Sequence, residues 1–222
     1  MTLNWQRRRW EVRATGDGGP GPNHWDERNV KVLPNGDLTL SILKRENKWT
    51  CAELFTQERL GFGTYDFDLI ARPDRFTPEI VLGFFPYTRR DIGPDTTNEI
   101  DIEFARWGNA KSPVGNFTVW PAVKEPGITQ TSHVFPITLM GDYTSYRFVW
   151  TPKEVRYEAR YGHGGKGTLI TSWRFAPPDP EKRVPQNPMP LHLNLWLFQG
   201  KAPADGKPVE IALRRVLYTS NT

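Results

Sequence analysis

An antiparallel all-β sandwich is the fold that this sequence predicts, and three observations predict it. Short segments rich in β-branched and aromatic residues recur along the 222 residues, each bounded by Gly, Pro or Asn. No helical pattern separates them, which argues against βαβ units. Several alternate apolar and polar residues with the period of two that a half-buried strand requires.

The first such segment is DLTLSIL, where Leu38, Leu40 and Ile42 alternate with polar partners. TYDFDLIA, PEIVLGFF, NEIDIEF and NFTVW follow it. Next come SYRFVW, EVRYEARY and TLITSWRF, and last LHLNLWLF and VEIALRRVLY. YGHGGKGT lacks the glycine spacing of a phosphate-binding loop and joins two strands, so it reads as a flexible hairpin connection. APPDPEKRVPQNPMP reads as an extended loop. Neither an internal repeat nor a linker is visible, and one domain spanning 1–222 is expected.

Composition excludes several function classes. The net charge is +4, and apart from Arg7–Arg9 and the pair Arg89 and Arg90 the arginines are scattered. A nucleic-acid footprint would need a denser basic stripe, so no nucleic-acid partner is expected. No apolar run is long enough to span a membrane. The opening MTLNWQRRRWEVR has no apolar core of a signal peptide, so localisation is not read from it. Cys51 is the only cysteine, which rules out an intramolecular disulfide. Four dispersed histidines show no metal-ligand spacing, and neither a metal nor a cofactor is expected. The nine tryptophans are more informative, because flat rings stack on sugars and bases.

Strand parity locates a candidate site. Alternate residues of a strand face opposite sides. In NEIDIEF, Glu99, Asp101 and Glu103 therefore share one face and Ile100, Ile102 and Phe104 the other. Asp and Glu are poor strand formers, and nothing structural asks for three like charges in a row. Other strands share the pattern of one plain and one functional side. His192, Asn194, Trp196 and Phe198 oppose four leucines, Asn116, Thr118 and Trp120 oppose Phe117 and Val119, and Phe85 and Tyr87 share a face with Gly83. Such a face of rings, amides and carboxylates suits something flat and rich in hydroxyls.

Paired carboxylates cleave glycosidic bonds: one donates a proton to the leaving oxygen, the other acts as nucleophile or base. Crowding of like charges raises carboxyl pKa values and so helps keep the donor protonated. Four strand residues set the Cα atoms of Glu99 and Glu103 roughly 13 Å apart. Retention needs carboxyls about 5–5.5 Å apart and inversion roughly 6.5–9.5 Å, so both glutamates must lean inward over Asp101. The spacing by itself leaves retention and inversion both open.

NEIDIEF resembles the Glu-x-Asp-x-Glu signature of family 16 glycoside hydrolases, the lichenases (endo-β-1,3-1,4-glucanases) among them. CAELFT, LGFGTYDFDLIA, FFPYT, LNLW and the closing YTSN extend the resemblance from about Trp25 onward. It implies a β-jelly-roll sandwich with a concave glycan-binding cleft, a polysaccharide substrate and a retaining double displacement; a monomer is expected. By the same resemblance Glu99 is the nucleophile, Glu103 the acid/base and Asp101 their modulator. Glu53, Phe85, Tyr87, Trp120, Asn194, Trp196 and Asn23 fall where the family contacts sugars, and an extracellular or periplasmic location is family-typical. Three departures stand out. Thr97 replaces a tryptophan, Phe55 an arginine, and Arg214 an aspartate of a structural calcium site, so no calcium is expected there. The alternatives are a glycan-binding module without activity, xyloglucan transglycosylation, or a sulfated galactan met by Arg89, Arg90, Arg106 and Lys111.

Overall fold

A computed structural model describes residues 1–88 and 91–221, and they form a two-layered β-sandwich. The chain opens with β1 (Thr2–Trp5), β2 (Arg8–Val12), β3 (Gly16–Gly18), β4 (Asn23–Trp25) and β5 (Val30–Val32). It continues through β6 (Leu38–Arg45), β7 (Lys48–Thr56), β8 (Gly63–Ile70), β9 (Ile80–Pro86), β10 (Glu99–Ala105) and β11 (Gly115–Trp120). Then come β12 (Thr131–Phe135), β13 (Tyr143–Trp150), β14 (Val155–Tyr161) and β15 (Leu169–Phe175). The last two are β16 (Leu191–Leu197) and β17 (Val209–Ser220).

One layer runs β1–β2–β7–β16–β9–β10–β11–β12. The other runs β5–β6–β17–β8–β13–β14–β15. Their strands are antiparallel, and β6 crosses between the layers to pair with β7, while β4 adds to β7 in parallel. Aromatic side chains fill the space between. Phe84 stacks on Phe67 at 5.0 Å, Phe104 meets Tyr146 edge-on at 4.8 Å, and Phe117 stacks on Tyr157 at 4.6 Å. Burying each such ring stabilises the sandwich by roughly 1.5–3 kcal/mol. Because this core takes every even-numbered residue from Ile100 to Phe104, the odd-numbered acids must face outward.

The structure corrects the sequence reading at several points. Five strands precede Leu38, and β7 and β12 are also additional. The segments β3, β4 and β5 are each three residues long, too short to show a period. In β7 a run of five buried residues, Thr50–Leu54, replaces alternation, because the strand is covered on both sides. The proline-rich stretch before β16 is not wholly extended. It contains a one-turn helix, α1 (Pro180–Arg183), started by Pro180 with its preset φ and closed by the Val184 N–H bonding to Pro180 O. YGHGGKGT does join β14 to β15.

Candidate active site

The acidic strand β10 lies inside its layer, paired on both sides, so ladder hydrogen bonds override the poor propensity of Asp and Glu. Its start is pinned by Asn98, whose amide donates to Thr97 Oγ1 and Ala122 O, and by the buried Thr97, which donates to Pro94 O. Registers across the layer set the groove face in rows. Glu99 pairs with Trp120 and bridges to Tyr87. Phe55, His192 and Phe85 form the next row, and Glu53, Asn194, Gly83 and Glu103 the one after. Trp196, Val81 and Ala105 follow.

These rows floor a groove of about 640 Å³. Glu99, Glu103, Glu53, Asn194 and Trp196 line it, as do the rings of Phe55, Phe85, Tyr87 and His192. Asp101 lies beneath, 1% exposed. Trp120 Nε1 donates to Asp101 Oδ2 at 3.0 Å. Asp101 Oδ1 meets no N–H or hydroxyl donor among the described residues. Its neighbour is the Glu99 carboxyl, and two carboxyls bond to each other only when one holds a proton.

The electrostatics follow from that crowding. Burial and the charge of Glu103 push Glu99 up to about 8, while the bond from Asp101 works the other way. Burial and the charge of Glu99 hold Asp101 well above the usual carboxylate range, and its bond to Glu99 raises it further. Burial and repulsion by Asp101 do the same to Glu103. Burial and mutual repulsion thus favour a proton shared within the pair of Glu99 and Asp101.

Beside this cluster, Glu53 behaves oppositely. Burial disfavours its charge, yet His192 Nδ1 at 2.9 Å and Arg13 Nη1 at 2.6 Å hold it below the usual range. The His192 ring stacks between Phe55 at 4.9 Å and Phe85 at 5.4 Å. Gly83 is glycine for a visible reason. A methyl group built on it would lie 2.8 Å from Asn194 Oδ1 and 3.2 Å from the Phe85 ring.

Asn23 lies elsewhere than at the groove surface. It is 2% exposed, its amide donates to Pro20 O and Leu197 O, and its Oδ1 accepts from Cys51 Sγ. It ties the rim residue Pro20 to the end of β16. Arg106 gives its guanidinium to Ser112 O and Asp74 O, and neither it nor Lys111 lines the groove. Arg89 and Arg90 lie outside the described residues. Arg214 pairs through Nε and Nη2 with Asp37 at 2.7 and 3.1 Å.

Residues outside the sequence reading complete the surroundings. Arg13 lies over the Trp25 ring at 4.0 Å, and Asp95 accepts from Tyr87 Oη. Trp107, 38% exposed, sits 6.4 Å from Trp196 and 5.7 Å from Phe198. Arg13 lies just after β2, in the N-terminal segment where no strands were read. Trp107 lies in the turn beyond Ala105, where strand parity no longer applies.

The sequence profile described as "Glycosyl hydrolases family 16" matches residues 22–212. An endo-1,3-1,4-β-glycanase, ExoK of Rhizobium meliloti (strain 1021), is 26% identical over 186 residues. That match covers 81% of this chain and 60% of the relative, so the chain spans less than two thirds of that protein's length. The Bacillus licheniformis β-glucanase structure superposes with a TM-score of 0.69 at 22% identity, covering 96% of this chain and 92% of that one. A prokaryotic β-1,3-1,4-glucanase (lichenase) from a mouse hindgut metagenome gives 0.67 at 24%, covering 94% and 92%. These likenesses establish the jelly-roll form of the sandwich.

Proposed function

The chain belongs to glycosyl hydrolase family 16, and from that premise we propose that it is an endo-acting β-glucan hydrolase working by a retaining double displacement. The whole chain, 1–222, serves as one catalytic domain. The observation that carries this reading is the acid cluster: Glu99 and Glu103 line one groove, Asp101 lies buried between them, and all three carboxyls are held above the usual range by burial and crowding.

In the first step Glu103 gives its carboxyl proton to the glycosidic oxygen as the bond to the anomeric carbon breaks. Glu99, ionised, bonds to that carbon on the opposite face. In the second step Glu103, now a carboxylate, takes a proton from water, whose oxygen displaces Glu99. Both groups return to their starting states. Asp101 stabilises the Glu99 carboxylate by the hydrogen bond, which weakens its hold once Glu99 becomes an ester. Trp196, Phe85 and Tyr87 present rings to the sugars, Glu53 and Asn194 present acceptors, and Trp120 acts on Asp101. Asn23 acts by holding the rim at Pro20. A β-1,3-1,4- or β-1,3-glucan is the substrate, in keeping with the activities named for the relatives.

Purified barley glucan, laminarin, xyloglucan, agarose and carrageenan, assayed for new reducing ends, test the reading. Cleavage of barley glucan or laminarin is expected, with products first appearing in the β configuration by NMR. Glu99→Ala and Glu103→Ala should each reduce turnover at least a hundredfold. Glycan binding with no cleavage of any polymer would replace the enzyme reading with that of a binding module.

A further inference from the structure

The turn after the acidic strand holds a residue that local geometry disfavours. Asn109 N–H bonds to Arg106 O at 3.0 Å, closing a turn whose central residues are Trp107 and Gly108. Both have positive φ, 53° and 78°. Paired positive φ values belong to type I′ turns, which favour Asn, Asp or Gly at the first central position. A bulky side chain there is strained by roughly 1–2 kcal/mol. The turn is nonetheless fixed, because the Gly108 N–H bonds to Pro78 O and the Phe198 ring packs 3.3 Å from where a Gly108 methyl would lie.

The strained residue is also an exposed one. Trp107 is 38% exposed, whereas Trp196, against which it leans, is 8% exposed. Trp107 sits in the turn just beyond Ala105, the last residue of β10, whose groove face carries Glu99, Asp101 and Glu103. Four residues separate it from Glu103, so their Cα atoms lie at most about 14 Å apart, within the span of a few sugar units. Ala105 between them carries only a methyl group, which keeps the floor low. A large ring held outward against its local preference, continuous with a groove-lining tryptophan, is costly packing but a suitable sugar platform.

We propose that Trp107 forms a distal glycan subsite, stacking on a sugar unit beyond the one held at Trp196, so that the protein favours longer β-glucan segments. This rests on the β-glucan reading above and extends the same groove.

The test compares Trp107→Asn and Trp107→Tyr with the unsubstituted chain. Titration of a short and a long series of barley-glucan oligosaccharides gives affinity, and thermal unfolding gives stability. Asn suits the turn, so Trp107→Asn should melt at a higher temperature while binding the long oligosaccharides roughly three- to tenfold more weakly. Affinity for the shortest bound oligosaccharide should not change, and Trp107→Tyr should keep most of the long-chain affinity. Equal loss on short and long ligands would mean that Trp107 merely props Trp196 and would overturn the proposal, as would unchanged affinity throughout. Binding of no β-glucan oligosaccharide by the unsubstituted chain would overturn it too. Because the readout is affinity, a chain that binds with length dependence but cleaves nothing would retain the subsite and lose only the catalytic reading.

Discussion

Trp120 and Asp101 meet diagonally across the β10–β11 pair, the indole N–H donating to Oδ2 at 3.0 Å. The bond favours the ionised form of Asp101 against burial and the charge of Glu99, both of which raise its pKa. It therefore moderates how firmly the proton stays on Asp101, and through it how readily Glu99 ionises.

Trp120→Phe keeps the ring and removes the donor. Asp101 should rise further, and the acidic limb of the kcat/KM profile should move to higher pH, with a roughly tenfold loss at the optimum. A parallel drop at every pH, with no displaced limb, would show that Trp120 acts only by stacking.

Glu99→Gln tests the cost of the carboxyl cluster through stability. Burial and the charge of Glu103 push Glu99 up to about 8 in the folded chain, against about 4.3 for an unfolded glutamate. Its folded pKa is raised, so the unsubstituted chain is favoured below about 4.3 and loses that contribution as pH rises to about 8. Glutamine does not ionise. The melting temperature of Glu99→Gln minus that of the unsubstituted chain should therefore grow across this window and level off above it. A difference independent of pH would contradict the raised pKa.

Gly83→Ala places a methyl group 2.8 Å from Asn194 Oδ1, in the row that joins Asn194 to Glu103. Asn194 or Phe85 must shift, at a cost of about 1–3 kcal/mol. Lower kcat/KM together with a lower melting temperature is expected. Full activity would show that the row has slack.

Trp196→Ala removes a groove ring beside the row of Asn194 and Glu103. KM should rise by roughly tenfold with a smaller change in kcat, since stacking away from the reacting bond serves substrate and transition state alike. Unchanged kinetics would reduce Trp196 to packing.

Much of this architecture was legible in the residue pattern because strand parity is a local rule. The alternation in NEIDIEF sent Ile100, Ile102 and Phe104 inward and the three acids outward, and the packed sandwich does the same. LHLNLWLF was read correctly for the same reason, with His192, Asn194 and Trp196 lining the groove. Parity failed where strands were three residues long or buried on both faces, as in β3–β5 and β7. Asn23 came from the family resemblance and not from parity, and its amide ties Pro20 to Leu197.

The amino-acid order alone determined the fold class, the face that carries the acids and which rings share it, because period-two patterning needs no partner strand to be read. Only the folded chain decided how those faces meet. The approach of β7, β16 and β9 brought Glu53 to His192 and left Gly83 as the gap beside Asn194. Burial and crowding then raise all three carboxyl pKa values, an effect that the diagonal reach of Trp120 opposes at Asp101, and those energies depend on distances between residues far apart in sequence.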